Sequence, residues 1–403
     1  MAERQGQAGA GNAALRVGVG LSTAGDAVTA AREAAAAALQ QAGLGRAPWA
    51  LCVFSGDHVP HAEQLHEALV AAVGCEQLGG CSANGVIAQG QEVEGRPAVG
   101  VMVGDGPGLG VCGGIVTETG AGLARLGSFL GQSSAPAVTV LWPDAYRVDG
   151  ATLLNAVAAA LPRVPLFGAG ASDGGMYGLS IQLAREGIHT GGASAMVFQG
   201  EMDVAVGITQ SCAAVGEPHF ITSAKEQILI ELDGRPALQT LIDQGKSMGM
   251  ETLQQVAEEL LFGFPLDPEQ PAFTGEQTLV RALGGFDQET HGLVVPYRLA
   301  ENTTMGFMHR HPEVADADMA RMVRQVAGQL PGPPDLALYF DCAARGQGFY
   351  RRPNVDMAHI RAVLGDVPLL GMFGGYELAT ALGAAHVYTF TGVLLLLRLR
   401  RGG

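Results

Sequence analysis

The chain has 403 residues, of which 48% are hydrophobic and 16% charged, with 24 Lys+Arg against 39 Asp+Glu for a net charge of −15. That composition describes a core-rich globular protein, and its acidic balance argues against nucleic acid or an anionic membrane as the main partner, since both need a basic face. Six cysteines (52, 75, 81, 112, 212 and 342) with no Cys-x-x-Cys pair form neither a disulfide framework nor a zinc site.

The first residues, MAERQGQAGAGNAAL, lack the apolar segment of a signal peptide, and no apolar run reaches the roughly 18 residues of a membrane span. The expectation is a cytoplasmic protein with reduced thiols. Residues 1–14 are expected to be a disordered lead-in. Residues 15–21 alternate as a strand, and 26–44 form an alanine-rich helix capped by Thr23 or Asp26. A strand at 50–54 closes on Ser55, Gly56, Asp57 and His58. A helix from about 61 to 73, a glycine turn at 79–85 and a strand at 98–103 follow.

The same grammar returns twice. Residues 138–142 read as a strand, 150–161 as a helix, 165–175 as an apolar step into a glycine turn, and 193–198 as a strand. Later, 336–340 is the strand, 357–364 the helix, 368–375 the glycine turn and 387–397 the closing strand. These are read as pseudo-repeated strand–helix–strand–Gly-turn units. Between the second and third, residues 180–215 suggest antiparallel ribbons, and Pro236 is placed to open a helix. Residues 249–262 suggest an amphipathic helix, and 293–299 with 303–308 a hairpin. The expected fold class is mixed α/β: two related lobes of mixed parallel and antiparallel sheets flanked by helices, with a boundary near Glu217-Pro218. The domains are then 15–217 and 218–397, with 398–403 a flexible basic tail whose final Gly402-Gly403 resembles that of ubiquitin-like modifiers.

Chemistry concentrates where the strand 336–340 gives way to Asp341, Cys342, Arg345 and Gly346, and where Gly371, Gly374, Gly375, Tyr376 and Glu377 follow a short apolar run. Small, reactive and charged residues at the end of a buried strand mark a site more often than packing. Arg345 suits bidentate capture of a carboxylate, or else a structural pair with Asp341 or Glu377. Glu377 suits an ammonium group, and Tyr376 offers a hydroxyl. Cys342, three residues before Arg345, is a ligand-lining thiol, a nucleophile if His359 or His386 supplies a base, or a small core residue. Ser82, Asn84 and Asp173 are polar residues of the two earlier glycine turns. Those turns lack the dinucleotide fingerprint and the phosphate-loop lysine, so no cofactor is implied. His309 and His311 flank an arginine without further ligands, and no metal site is assigned.

The motifs LGGCSANGVI at 78–87, PLFGAGASDGG at 165–175, ELDGRPAL at 231–238, DCAARG at 341–346, GMFGGYE at 371–377 and HVYTFTGVLLL at 386–396 together resemble the FIST family. The likeness runs from roughly 15 to 397, as an N-terminal and a C-terminal FIST domain in tandem. Here Gly375-Tyr376-Glu377 stands where that family more usually has a Gly-Glu pair. The resemblance implies a sensory module that binds a small ligand, an amino acid or related carboxylate, and signals through a partner protein. The ligand set expected from the residues is Cys342, Arg345, Gly346, Gly374, Tyr376, Glu377, Asp173, Asn84 and Ser82. A thiol-dependent enzyme using Cys342 and an interaction scaffold remain the alternatives.

Overall fold

The computed structural model describes residues 15–400, so the expected lead-in at 1–14 and the last three residues lie outside the described residues. Helices and strands combine as a mixed α/β protein. The local readings recover many of the elements. The helix Ala27–Ala42 is capped by Asp26, whose side chain accepts from the Thr29 amide. Its alanines let it lie so close to the strand Arg16–Ser22 that a Cβ on Gly20 would sit 1.9 Å from the Ala34 carbonyl oxygen.

Three units follow one plan. The first runs strand Arg16–Ser22, helix Ala27–Ala42, strand Trp49–Ser55, helix Ala62–Val73, strand Gln77–Ala83, a hairpin (Gly85–Ala88 and Gln91–Glu94) and strand Val99–Asp105. The second repeats this from Leu109–Val116 to Ala193–Gly200. The third does so from Met202–Gln210 to Thr391–Leu399. In each, the two middle strands pair in parallel across the helix, and the last strand lies between the first and second. The hairpins, however, are exchanged. That of the second unit joins the first unit's sheet, that of the third joins the second's, and that of the first joins the third's.

One apolar core collects side chains from all three sheets, among them Val53, Trp142 and Phe340, which hold the same register position. Helices cover the outer faces in separate clusters. A ring of backbone hydrogen bonds closes one end: Asn84 N–H to Phe373 O at 3.0 Å, Ser172 N–H to Ser82 O at 3.1 Å, and Gly375 N–H to Gly170 O at 3.0 Å. Equivalent donors and acceptors thus pass once around the three units.

Residues 212–310 interrupt the third unit between its first strand and its first helix. This module has its own sheet and core, including Leu241, Phe262 and Phe307. It leaves and returns at one point: Cys212 pairs with Arg310, and the His311 amide bonds Ser211 O at 2.9 Å.

Several expectations need correction. Glu217 and Pro218 lie inside the continuous strand Cys212–Lys225, at a bulge that spares the proline a ladder donor. The helix expected at 249–262 is only Leu253–Glu259, after which the apolar run Leu260–Pro265 becomes a buried strand. The segments 293–299 and 303–308 do not pair. Leu293–Val294 joins Ile228–Leu232, while Thr304–Arg310 joins Cys212–Lys225 and Leu260–Pro265. Pro312 opens a 16-residue helix, Pro312–Ala327, missed in the sequence although Ala315, Met319, Met322, Val323 and Val326 form its buried stripe. Arg398 and Leu399 remain in the last strand, and Arg398 and Arg400 both bridge to Asp203, so a flexible tail does not begin at 398.

Candidate functional site

The Gly-turn ends of the parallel strand pairs converge near the backbone ring, and a cleft of about 750 Å³ opens beside it. Gly56, Asp57, Asn84 and Glu94 come from the first unit, Asp173, Gly174 and Met176 from the second, and Gln347, Gly348 and Arg351 from the third. Its size falls within the usual range for small-molecule sites.

Asp173 organises one wall. Its carboxylate accepts from the Tyr146 hydroxyl at 2.6 Å and from the amides of Gly175, Tyr177 and Leu179 at 2.8, 2.6 and 3.2 Å. Burial works against its charge, but these donors hold the carboxyl below its ordinary value. Asn84 stands opposite; a Cβ on Gly174 would lie 2.8 Å from its Oδ1. Glu94, on the exchanged hairpin, accepts the Gln347 amide at 2.9 Å. Gly346, at φ 55°, passes so close that a Cβ would sit 2.4 Å from the Glu94 carboxylate. Arg351 ends the short helix Gly346–Tyr350 in a left-handed conformation at φ 59°. It is exposed and has no hydrogen-bond or ion-pair partner for its guanidinium among the described residues. Ser82 lies beneath the cleft, its hydroxyl accepting the Ile181 amide at 2.9 Å.

The residues around Cys342 form a buried polar cluster instead. Arg345 is 1% exposed. Its Nε meets Asp341 Oδ1 at 2.8 Å, its Nη1 donates to Ser211 Oγ at 2.7 Å, and its Nη2 donates to the Tyr350 hydroxyl at 2.7 Å and to Asp356 Oδ2 at 2.9 Å. Tyr339 donates its hydroxyl to the same Asp356 oxygen at 2.7 Å. Against the penalty of burial, Asp356 foremost keeps the guanidinium strongly charged. All three nitrogens are engaged internally. Of the two roles expected for Arg345, its geometry is that of the structural ion pair, with Asp341 and, beyond it, Asp356.

On the other side of the strand Leu336–Cys342, Cys342 meets Glu377 of the neighbouring sheet. The Glu377 Oε2 accepts the Thr391 hydroxyl at 2.7 Å, while Oε1 has no partner among the described residues. Burial pushes this carboxyl up to about 8, despite the Thr391 contacts. Burial first, and Glu377 second, raise the Cys342 thiol well above its ordinary value. A neutral buried thiol is a poor nucleophile, and neither candidate base bonds to it: His359 pairs with Asp316 at 2.6 Å, and His386 contacts Ala381 O at 3.2 Å. The repeat supplies a structural role. Cys342 holds the register position of Ser55 and Asp144. At each, a side chain accepts a loop amide: Ala98 N–H to Ser55 Oγ at 3.0 Å, Gly191 N–H to Asp144 Oδ2 at 2.9 Å, and Phe390 N–H to Cys342 Sγ at 3.4 Å.

Gly374 is required by packing, since a Cβ there would sit 2.6 Å from that of Ala169. Tyr376 packs its ring on Gly150 and Gly170, and its buried hydroxyl has no partner among the described residues. The structure therefore brings Asn84, Asp173 and, through Glu94, Gly346 to one cleft, with Ser82 beneath. It buries Arg345, Cys342, Glu377 and Gly374 and leaves Tyr376 half-buried. Sequence reasoning missed Glu94, Gln347 and Arg351 as cleft residues. The doubled Arg351-Arg352 before Pro353 is a visible signal, whereas nothing local ties Glu94 to residues some 250 positions away.

Among the described residues no group of three or more His, Cys, Asp or Glu could hold a metal, and no helix is long and apolar enough to cross a membrane. Comparison with known proteins gives consistent matches along the chain. The family model for the FIST N domain matches residues 49–235 and that for the FIST C domain 238–380. An uncharacterized protein of Mycobacterium tuberculosis is 31% identical over 383 residues, covering 95% of this chain and 99% of the relative. One of Mycobacterium bovis is 29% identical over 384 residues, covering 95% and 98%. Among solved structures, a cyanuric acid hydrolase covers 96% of this chain and 100% of its own at 9% identity and a TM-score of 0.31, too low to carry an argument.

Proposed function

The chain belongs to the FIST family, with its N and C domains in tandem, and from that premise we propose that it is a cytoplasmic small-ligand sensor for an amino acid or related carboxylate. The ligand occupies the cleft of about 750 Å³ between the three units, and a partner protein takes up the signal. The observation that carries this reading is the charge pattern of the cleft. Arg351 offers an uncommitted guanidinium, and Asp57 and Glu94 line the same space. A guanidinium suits a carboxylate and the acids suit an ammonium group, the two ends of a zwitterion. Backbone amides and the Asn84 side chain supply polar contacts between them.

Ligand binding is favoured over thiol chemistry because Cys342 is sealed, protonated and already used as a backbone acceptor. The test is calorimetric titration of the full chain with amino acids and organic acids. A carboxylate ligand should bind saturably, and Arg351→Gln should weaken it about tenfold or more, while Arg351→Lys retains part of the affinity. Silence toward every amino acid and organic acid, or an unaffected Arg351→Gln, overturns the reading.

A further inference from the structure

The inserted module meets the body of the protein along a second cleft, of about 530 Å³, on the other side of Arg351. Glu258, Glu259, His309 and Arg310 come from the module, and Ala344, Gly348 and Arg351 are among the body residues facing them. Each of its acids has one polar partner. Glu259 lies 3.5 Å from His309, Glu258 accepts from Gln254 at 2.9 Å, and Glu94 holds the Gln347 amide at 2.9 Å. Arg310 and Arg351 have no carboxylate partner among the described residues. Arg310 is half-buried, with its guanidinium 4.6 Å from the Phe349 ring centre and 5.4 Å from that of Phe390. Its Nη2 donates to Ala344 O, its sealed Nε has no partner, and no carboxylate lies within ion-pair distance among the described residues. Burial lowers its proton affinity, and Arg345 adds like-charge repulsion.

A cation withdrawn from water without a counter-ion is unfavourable, and stacking on two rings compensates only in part. A purely structural strut would need the stem and the rings but no charge. We propose that Arg310 and Arg351 form an anion-binding site between the inserted module and the body, for a small molecule bearing a carboxylate or phosphate group. Both groups accept charge-assisted hydrogen bonds from guanidinium nitrogens: Arg351 offers its fork, and Arg310 the Nη1 that neither Ala344 O nor burial takes up. Arg310 closes the strand by which the module returns to the body, next to the Ser211–His311 junction. A bound anion therefore ties the module to the short helix Gly346–Tyr350 and restrains its hinge. The site goes beyond the zwitterion cleft. The two clefts share Arg351, Glu94 and Gly348, so their ligands compete for the Arg351 guanidinium, whereas Arg310 belongs to the second cleft alone.

The test titrates the full chain by calorimetry with inorganic phosphate, with acetate and with succinate, holding ionic strength constant with chloride. Saturable binding of phosphate alone identifies a phosphate ester as the natural class; saturable binding of acetate or succinate identifies a carboxylate. Arg310→Gln should weaken the effective anion about tenfold or more and leave amino-acid binding in the first cleft unchanged. Because Arg310→Gln can fail to fold, Arg310→Lys, which keeps the charge and loses the planar guanidinium with its several donors, should fold and bind more weakly. Hydrogen exchange of the wild-type chain supplies a further readout: the effective anion should slow exchange across 309–312 and 343–351. No saturable anion, undiminished binding by both variants, or unchanged exchange would each overturn the site. Loss of amino-acid binding with anion binding intact would instead count against the function proposed above.

Discussion

Asp356 receives Arg345 through both carboxylate oxygens, at 2.9 and 3.1 Å from the same Nη2, with both side chains about 1% exposed. The pair sits behind the strand Leu336–Cys342, and its remaining valences go to Tyr339, Tyr350, Ser211 and Asp341.

Breaking it leaves a buried charge uncompensated. Arg345→Ala and Asp356→Ala are each expected to destabilise by about 3–5 kcal/mol in denaturant unfolding. Their double variant should lose less than the sum, because both singles remove one interaction. Arg345→Ala that folds with wild-type stability but loses ligand would move this guanidinium back into the binding site.

Glu377 and Glu92 should shape the dependence of stability on pH. A carboxyl whose pKa is raised by folding holds its proton more tightly when folded, so its effect is absent below the unfolded value. Stability then falls as pH rises through the interval between the two values. For Glu377 that window runs from about 4.5 to about 8, and for Glu92, raised by burial and by Asp356, from 4.5 to about 7. The slope per group is at most about 1.4 kcal/mol per pH unit. Glu377→Gln should flatten the decline and make the variant more stable than wild type above about pH 8. A melting-temperature series in which the two proteins stay parallel contradicts the assignment.

Cys342 should behave as an internal acceptor. Serine offers the Phe390 amide the same kind of partner that Ser55 offers Ala98, so Cys342→Ser should change stability by no more than about 1 kcal/mol, whereas Cys342→Ala should cost about 1–3 kcal/mol. All six thiols are free and buried. A small alkylating agent followed by peptide mapping should therefore label Cys342 only as fast as the protein opens. Rapid labelling of Cys342 in the native state would refute the structural role.

Gly80, Gly168 and Gly371 stand at one register position in the three parallel pairs, opposite Cys52, Leu141 and Tyr339. A Cβ at Gly168 would lie 1.8 Å from Leu141 O, at a backbone φ of 148°. Gly168→Ala should therefore destabilise by ~3 kcal/mol or more, from strain and overpacking together. Gly175→Ala, with φ 77° but open space around it, should cost only about 1–2 kcal/mol. Equal effects of the two, measured by thermal unfolding, would show that close approach is not what the repeat glycines serve.

The sequence by itself determined the parts whose cause is local. Apolar runs placed the strands Trp49–Ser55, Ala137–Pro143 and Leu336–Cys342 to within about two residues, and Asp26 marked the first helix. The recurrence of strand, helix and glycine turn was legible because each unit repeats the same short-range pattern. Tertiary structure decided where those units meet. The hairpin Gly85–Ala88 pairs with a strand nearly three hundred residues away, and no local periodicity encodes that exchange. The surroundings of Arg345 were decided in the same way. Asp341 is four residues distant in the chain and Asp356 eleven, but Ser211 is 134 residues away. Whether a guanidinium greets a ligand or an internal acid depends on which carboxylates reach it first, and folding brought Asp341 and Asp356 there. Arg351, six residues on, was left facing the cleft because its left-handed cap carries the side chain away from that cluster.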